Sequence, residues 1–418
     1  MADEFIPSPE FLARAQRIQD AFELRQPDRI PLIMGFGYFL ADYGGITRQE
    51  LHDNWEKSQE ILEKATLQFQ PDTAFGAWGT PEQSKALGDR MTKWPGYRLG
   101  PQASFQFDEH EFMKAEDYDA LLHDPSDYAI RTYLPRAFSE LEGLALLPNL
   151  GMSLYGYYSL GNTLSLLAPP VIAAFEALKK AAEVTAVFTG QQVESAMRMA
   201  ALGFPGPSFL VGALIEAPFD FMSDTLRGMR GIMLDMLRIP DKLLAAEDMV
   251  LKTQVDYAIS FCRATGFKNA FIPLHRGSDG FMSLAQFEKF YWPQLKSMIL
   301  QLVEAGITPT MYYEGVWTER LKYLKELPKG KTAGLFQDTD IFEVKEAVGD
   351  TLCIMGGMPI PLLKNGTPEA IRQHTERVCE EVGKDGGFIM TSSVLELEGI
   401  SPENLQAWAD ATHEFGVY

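Results

Sequence analysis

The second half of the chain alternates apolar runs of strand length with segments that begin like helices. Ser283, with Gln286 three residues on, forms a capping box, and Thr318, Thr367 and Ser401 each precede a helical segment. Strands joined through such helices by short connections run parallel, and parallel strands buried on both faces appear as continuous apolar runs. The pattern predicts a closed barrel of alternating strands and helices. The runs are FLVGALIE, NAFIPLH, ITPTMYY, TAGLFQ, LCIMGG and GGFIMT.

The first half of the chain is richer in predicted helix. An amphipathic segment, PEFLARAQRIQDAFEL, leads through QPDR into the apolar run IPLIMGF, and helical patterns recur near residues 48–69 and 171–199. No internal repeat or low-complexity linker interrupts the sequence. We therefore expect one domain over residues 1–418, with helical insertions around 80–147 and 160–205.

Charge and composition exclude several classes of function. The chain has 37 Lys and Arg against 57 Asp and Glu, a net charge of −20, so binding to a phosphate backbone is not expected. Without a long apolar run or the basic start of a signal peptide, the sequence predicts a cytoplasmic protein with no membrane segment. Cys262, Cys353 and Cys379 are far apart and indicate buried thiols rather than disulfides or a cysteine zinc finger.

In a barrel of this type the chemistry lies in the loops after the carboxyl ends of the strands. Acidic groups, one imidazole and several aromatic rings follow the predicted strands and should meet at one mouth. The acidic and imidazole groups are Glu216, His275, Glu314, Asp338 and Glu396, and the neighbouring side chains include Arg276, Met311, Tyr312, Tyr313 and Trp317, with Tyr38 in the first loop.

Four ordered blocks resemble the uroporphyrinogen decarboxylase superfamily. They are QPDRIPL, GFMSLAQFEKFYWPQLKSMI, MGGMPIPLLKNGTPEAIRQHTERV and the ending GGFIMTSSVLELEGISPENLQAWADATHEFGVY. The resemblance spans nearly the whole chain and implies an α/β fold, a distorted TIM (β/α)8 barrel with an extended helical N-terminal portion.

The superfamily contains decarboxylases and cobamide-dependent methyltransferases, so the fold does not settle the function. The arginine-rich early signature of the true decarboxylases is replaced here by MGFGYFLADYGG. Methyltransferases that act on thiols carry His-x-Cys-Gly after a strand and a later Cys, which bind zinc. Tyr312-Tyr313-Glu314-Gly315 aligns with the first motif, and VLELEG stands where the later Cys would fall.

This resemblance implies a corrinoid-dependent methyltransferase that takes a methyl group from a small methylated donor, a methoxylated aromatic, and passes it to the cobalt of a corrinoid (cobalamin) protein. Glu314, His275 and Glu396 could hold a metal, with zinc as the family's ion, or a protonated Glu314 could act as general acid without one. Tyr312 and Asp338 join Glu314 and His275 as expected catalytic residues. The expected substrate contacts are Tyr313, Trp317, Arg276, Glu216, Tyr38 and Met311.

Other interpretations stay open. Glu314 could bind only backbone N–H groups, Arg276 could pair with Asp279, and either Asp338 or Asp340 could cap the helix that follows. The methionines near strand ends, Met311 among them, could fill the core. A decarboxylase of a small acid, with His275 or Asp338 as proton donor, and a non-catalytic partner of a corrinoid protein are the alternative functions. Each of these functions is compatible with a homodimer.

Overall fold

The computed structural model describes residues 6–151, 156, 160–206 and 212–418. Contacts divide the chain into two compact units. Unit 1 contains residues up to Trp78, Glu194–Pro218 and Leu251–Tyr418, and unit 2 contains Gly79–Val193 and Phe219–Val250.

The strands of unit 1 form a parallel sheet with the order expected of a barrel. Its described bounds are β1 Ile33–Gly35, β2 Thr73–Phe75, β6 Ala213–Leu214, β7 Asn269–Leu274, β8 Thr308–Tyr313, β9 Ala333–Phe336, β10 Cys353–Met358 and β11 Phe388–Ser392. Unit 2 contributes the short strands β3 Thr92–Pro95, β4 Arg98–Leu99 and β5 Gln106–Phe107.

Six of these strands are hydrogen-bonded in the order β11-β10-β9-β8-β7-β6, and β1 pairs with β2. A parallel bridge between Leu32 and Met390 connects β1 to β11. At the other edge, the Thr73 hydroxyl in β2 donates to the Pro205 carbonyl oxygen at 2.6 Å, in the segment that precedes β6. The eight strands therefore form a distorted barrel of TIM type, with helices following most of them.

Helices account for most of the remaining described chain. Their bounds are α1 Pro9–Phe22, α2 Phe39–Gly44, α3 Arg48–Asp53, α4 Trp55–Phe69, α5 Pro81–Leu87, α6 Tyr118–His123, α7 Pro125–Tyr128, α8 Leu134–Ala137, α9 Leu160–Thr163, α10 Pro169–Ala201, α11 Pro218–Asp220, α12 Gly228–Arg238, α13 Pro240–Thr265, α14 Leu284–Gln286, α15 Trp292–Glu304, α16 Leu321–Leu324, α17 Ile341–Val348, α18 Ile360–Asn365, α19 Pro368–Val378 and α20 Pro402–Phe415. Short 3-10 and π-helical turns extend several of them.

Helix α1 packs on the amino ends of the strands. Its buried residues Ile18, Ala21 and Phe22 join one core cluster with the inward-facing side chains of seven strands. Hydrogen bonds from the QPDR motif stabilise this packing. The Asp28 carboxylate accepts from Arg17, and Arg29 donates to the buried Asp72 carboxylate at 2.9 Å. Helix α1 does not cover the carboxyl ends of the strands, from which the loops extend.

Unit 2 has its own small core. Leu141, Leu144 and Leu147 pack against Val171 and Ala174 on the first turns of α10. A three-stranded sheet, in the order β4-β3-β5, adds to the helices in this unit.

Most predicted helix starts are confirmed. Ser283 and Gln286 form the capping box, and the hydroxyls of Thr367 and Ser401 accept from Ala370 N and Asn404 N. Thr318 was wrongly expected to cap the next helix, because a 3-10 turn begins at Thr318 itself.

Element boundaries also differ in places. The helix expected over 48–69 is broken at Asn54, whose side chain caps α4. The expected strand FLVGALIE is observed only at Ala213–Leu214, and residues 207–211 lie outside the described chain.

Candidate active site

His275 and Glu314 are brought together by strand register. Leu274 of β7 pairs with Tyr313 of β8, so the next residue on each strand stands beside the other at the carboxyl edge. His275 Nε2 lies 3.4 Å from Glu314 Oε1, and their side chains are 30% and 34% exposed. An imidazole and a carboxylate at this distance can share a proton and remain accessible to a small molecule.

The backbone beside this pair is held by the neighbouring loop. Gln337 Oε1 accepts from Gly315 N at 3.0 Å, and Gln337 N donates to Tyr313 O at 3.1 Å. Asp338 N donates to Gly315 O at 3.3 Å. Glu314 is therefore carried on a loop that β9 fixes, which limits how far its carboxylate can move.

Arg320 anchors the β7 loop and was not anticipated from the sequence. Its buried guanidinium donates to Gly277 O at 2.8 Å and Met282 O at 2.5 Å, and it pairs with Asp279. Its place in TERLKY, within a helical pattern, gave no sign of this role. Arg320 fixes the loop that begins at His275.

Tyr312 faces the barrel interior, and its hydroxyl donates to Ser393 O at 3.3 Å. Burial raises the pKa of Tyr312, and the negative charges of Glu314 and Asp338 add to the effect. The phenol therefore stays protonated at neutral pH. Its hydrogen bond connects β8 to the turn after β11.

Three expected substrate contacts lie in the core instead. Met311, Tyr313 and Trp317 are fully buried. The Tyr313 ring stacks on Phe336 at a centroid distance of 4.6 Å and meets Trp317 edge-on at 4.9 Å. Side chains along a strand alternate in direction, so Met311 and Tyr313 point away from the face that carries Tyr312. In the structure, all three side chains pack in the core.

The other three residues expected to contact the substrate, Glu216, Arg276 and Tyr38, lie at separate positions after the carboxyl ends of their strands. Glu216 follows β6 and is partly exposed. Arg276 follows β7, with its guanidinium carbon 5.4 Å from the Phe281 ring centroid. Tyr38 is buried, and its hydroxyl lies 3.1 Å from His52 Nε2. Only Glu216 and Arg276 are therefore placed to meet a molecule at the mouth.

A cavity of about 280 Å³ opens at the carboxyl ends of β9 and β10. Asp338, which is exposed, lines it together with Ser393 and His374. Phe336, Phe342 and Met358 supply apolar walls, and its lining contains no Lys or Arg. Asp340, which also lines the cavity, is the residue that caps α17, accepting from Phe342 N at 2.8 Å.

Glu396 occupies the β11 side of the mouth. Its Oε1 accepts from Trp78 N at 2.8 Å, and Gly37 lies so close that an added Cβ would stand 2.6 Å from Glu396 Cβ. Burial raises the pKa of Glu396 to about 7, with Glu398 adding and the Trp78 hydrogen bond opposing. Trp78 follows β2, a strand of three residues that no apolar run marks in the sequence.

The donor set does not fit a zinc ion held by three side chains. Within the described residues, no group of three or more His, Cys, Asp or Glu side chains is close enough together to hold a metal. His275 and Glu314 form a pair, and Glu396 does not join them. Cys262, Cys353 and Cys379 are buried, and burial raises the pKa of each thiol, so none offers a thiolate at the mouth.

Comparison with known proteins places the chain in a family. Residues 141–415 match the family model of uroporphyrinogen decarboxylase (URO-D), so the chain belongs to that family. Similar curated proteins are the uroporphyrinogen decarboxylases of Pseudoalteromonas translucida, 33% identical over 84 residues, and of Methylococcus capsulatus, 28% identical over 120 residues. These matches cover 20% and 28% of this chain, and 23% and 33% of the two relatives, so the chain spans about a quarter to a third of their length.

A solved structure shares the fold over nearly the full length. The chain is similar to a methyltransferase from Methanosarcina mazei, with a TM-score of 0.57 and 17% identity, over 96% of this chain and 98% of the other. At this identity the likeness establishes the barrel fold.

In the part of the chain that the structure describes, no single helix is long and apolar enough to cross a membrane. One bent pair, Gly161–Leu167 with Pro169–Ala201 at 65°, meets the length and composition test only when the two are taken together.

Proposed function

We propose that this chain is the substrate-side methyltransferase of a corrinoid-dependent demethylation system. It moves a methyl group from a small methylated donor, a methoxylated aromatic, to the cobalt of a separate corrinoid protein. The observation that carries the proposal is the pair formed by His275 and Glu314 at the carboxyl edge. Glu314 stands where the resemblance aligns a zinc-binding Cys of the thiol methyltransferases, so the proposed chemistry uses a proton-sharing pair instead.

The cavity favours a small, uncharged donor. At about 280 Å³ it suits one aromatic ring with its substituents, and Phe342 and Met358 provide an apolar surface for such a ring. His275 and Glu314 are not among its lining residues, so the methoxy group of a ring bound there has to extend past Asp338 to reach the pair. Its carboxylates and the absence of Lys and Arg from its lining disfavour a substrate that carries several carboxylates.

The residues of the pair have a defined task in breaking a methyl ether. When the nucleophile attacks the methyl carbon, the electron pair of the C–O bond passes to the ether oxygen, which leaves as a phenoxide. A proton held between His275 Nε2 and Glu314 Oε1 can move to that oxygen, so a neutral phenol is released. Asp338 and Tyr312 lie beside the pair, and the Tyr312 hydroxyl, which stays protonated, orients the turn at Ser393.

Zinc, if bound, would supply Lewis-acid stabilisation of the same leaving oxygen. His275 and Glu314 provide two of the donor types that zinc accepts, but the described residues provide no third donor beside them. The proton transfer described above does not require a bound zinc ion.

The fold likeness to a methyltransferase supports the proposal, while the names of the two curated relatives favour a second candidate. In that alternative the chain decarboxylates a small acid, with His275 or Asp338 protonating the carbanion. The acidic cavity lining argues against the tetrapyrrole substrate that those names indicate.

A donor panel separates the two functions. The protein is incubated with cob(I)alamin, or with a reduced corrinoid protein, and with methyl ethers, amines and thiols, and methylcobalamin is followed by its absorbance. We expect product from a methoxylated aromatic, with a faster rate when the corrinoid is protein-bound. No methylcobalamin from any donor, together with carbon dioxide released from a small acid, would replace the proposal with the decarboxylase.

A further inference from the structure

A large cavity opens at the amino ends of the strands, at the opposite end of the barrel from His275 and Glu314. It has a volume of about 620 Å³, and all of its lining residues belong to unit 1. The end of α1, the starts of β7 and β8 and the segment before β9 form its walls. The proposed methyl transfer does not use it. We call it the amino-end cavity, and its polar and charged lining includes Glu23, Lys268, Asn269, Thr308, Lys329 and Lys331.

Strand register places two polar side chains together in this cavity. Asn269, the first residue of β7, pairs with Thr308, the first residue of β8. Further along the same strands, Phe271 and Tyr312 belong to the core cluster inside the barrel. Side chains two or four positions apart on a strand share a face, so Asn269 and Thr308 also face the barrel interior, at its amino end.

Both polar groups are available to a ligand. Asn269 is only 9% exposed, and the described residues offer no hydrogen-bond partner to its side-chain amide or to the Thr308 hydroxyl. A nearly buried amide without a partner is unfavourable, and most such groups in proteins are hydrogen-bonded. A ligand in the cavity that accepts from Asn269 Nδ2 supplies the missing bond.

The charge of the cavity is opposite to that of the whole chain. Lys268, Lys329 and Lys331 line it, all three are exposed, and none of them forms an ion pair with a described residue. Glu23, the acidic residue of the described lining, is already paired with Arg25. In a chain with a net charge of −20, a concave site with this lining concentrates anions where the rest of the surface repels them.

The carboxyl end of α1 forms one wall, and free carbonyl groups at a helix end repel anions. Here those carbonyl groups are engaged, because Gln19 O and Ala21 O accept from Glu23 N and Leu24 N at 3.1 Å each. Leu24 has a positive φ of 58°, which turns the chain out of the helix at this wall. The helix end therefore presents few free acceptors to an anion.

We propose that the amino-end cavity binds a small anion that carries two or three phosphate groups. Its volume lies within the roughly 300–1,000 Å³ typical of small-molecule sites. Lysine binds phosphate as a point charge, whereas planar carboxylates are recognised best by the two-pronged guanidinium of arginine. The described lining contains three lysines and no arginine, which favours phosphate.

Isothermal titration calorimetry with sodium triphosphate, without added metal, tests the site. We expect saturable binding to wild type. Lys329→Gln/Lys331→Gln should weaken it about 10- to 100-fold, because each lysine is expected to contribute roughly three- to tenfold in affinity. Asn269→Asp keeps the shape of the side chain and places a carboxylate in the cavity, so it should abolish binding. Circular dichroism checks that each variant is folded.

Lys289→Gln/Lys322→Gln is the matched control. It removes the same charge from two exposed lysines of unit 1 that do not line the cavity, so it should bind triphosphate as wild type does. No binding to wild type, or an equal loss in the control, would overturn the proposal. Citrate bound as tightly as triphosphate would overturn the assignment to phosphate. None of these measurements requires methyl transfer, so the proposed function can fail without affecting them.

Discussion

The two sides of the barrel mouth each present a glutamate, and the two are held in different ways. Glu314, on the β8 side, lies beside an imidazole and is carried on a loop whose backbone is hydrogen-bonded to the Gln337 side chain and to the backbone of Gln337 and Asp338. Glu396, on the β11 side, has one described hydrogen bond, from Trp78 N, and burial raises its pKa. One carboxylate is paired with an imidazole, and the other is about half protonated at neutral pH because burial raises its pKa to about 7.

Position at the carboxyl edge therefore does not define the role of a glutamate. Both residues follow a strand, yet Glu314 lies beside an imidazole, whereas Glu396 accepts from a backbone N–H and has a second carboxylate, Glu398, near it. Glu396 is placed against Gly37, whose lack of a side chain permits the close approach. We therefore assign the leaving-group chemistry to the β8 side, and test each side separately.

The largest expected effect is on the β7 and β8 side, from Arg320→Ala. This change leaves Asp279 without its buried partner and removes two bonds to backbone carbonyls. Removing one member of a buried pair typically costs about 3–5 kcal/mol. Urea unfolding followed by circular dichroism measures it, with exposed Lys322→Ala on the same segment as control. A loss below about 1 kcal/mol, within the range of surface pairs, would show that the loop does not depend on Arg320.

On the β11 side, Glu396→Gln should change how stability depends on pH. The folded pKa of about 7 lies above the ordinary value of 4.5, so Glu396 favours folding fully below pH 4.5, and this contribution is lost as the pH rises through 7. Gln does not titrate, so the variant should gain up to about 3 kcal/mol relative to wild type between these limits.

Unfolding free energies of both proteins, measured from pH 4.5 to 8, check this prediction. Because Glu247 is also buried with a raised pKa, the wild-type curve alone cannot isolate Glu396, and the difference between the two proteins is the quantity of interest. Parallel curves would show that Glu396 is solvated like an ordinary surface acid.

A smaller effect is expected from Gly37→Ala, with Gly45→Ala as its matched control. Both glycines have positive φ, 48° and 64°, so each substitution costs about 1 kcal/mol of backbone strain. Only at Gly37 would the new methyl group meet Glu396, since no atom lies within 4 Å at Gly45. Gly37→Ala should therefore lower the unfolding free energy by about 1–3 kcal/mol more than Gly45→Ala does. Equal losses would mean that the approach of Glu396 is not tight.

The sequence predicted the barrel because its long strands are continuous apolar runs. Strands β7 to β11 were located closely for that reason, whereas β2 lies between Asp72 and Gly76 and belongs to no longer apolar run. The neighbouring positions of His275 and Glu314 followed from placing both after strands, and register confirms that they meet.

The direction of individual side chains could not be predicted in the same way. The last three residues of the strand, Met311, Tyr312 and Tyr313, are all apolar or aromatic, so no alternation shows which face Tyr312 and Tyr313 take. The structure turns Tyr312 inward and buries Tyr313 with Trp317. Arg320 and the Trp78 contact depend on residues distant in sequence, which a single sequence does not reveal.

We propose that the pair formed by His275 and Glu314 delivers the proton to the leaving oxygen. Its most direct test is the rate of methylcobalamin formation by Glu314→Gln against wild type, with Glu396→Gln measured in parallel on the same methoxylated donor. We predict that Glu314→Gln is about 100- to 1,000-fold slower while Glu396→Gln stays within about tenfold of wild type. A Glu314→Gln variant as fast as wild type, or a greater loss in Glu396→Gln, would contradict the assignment.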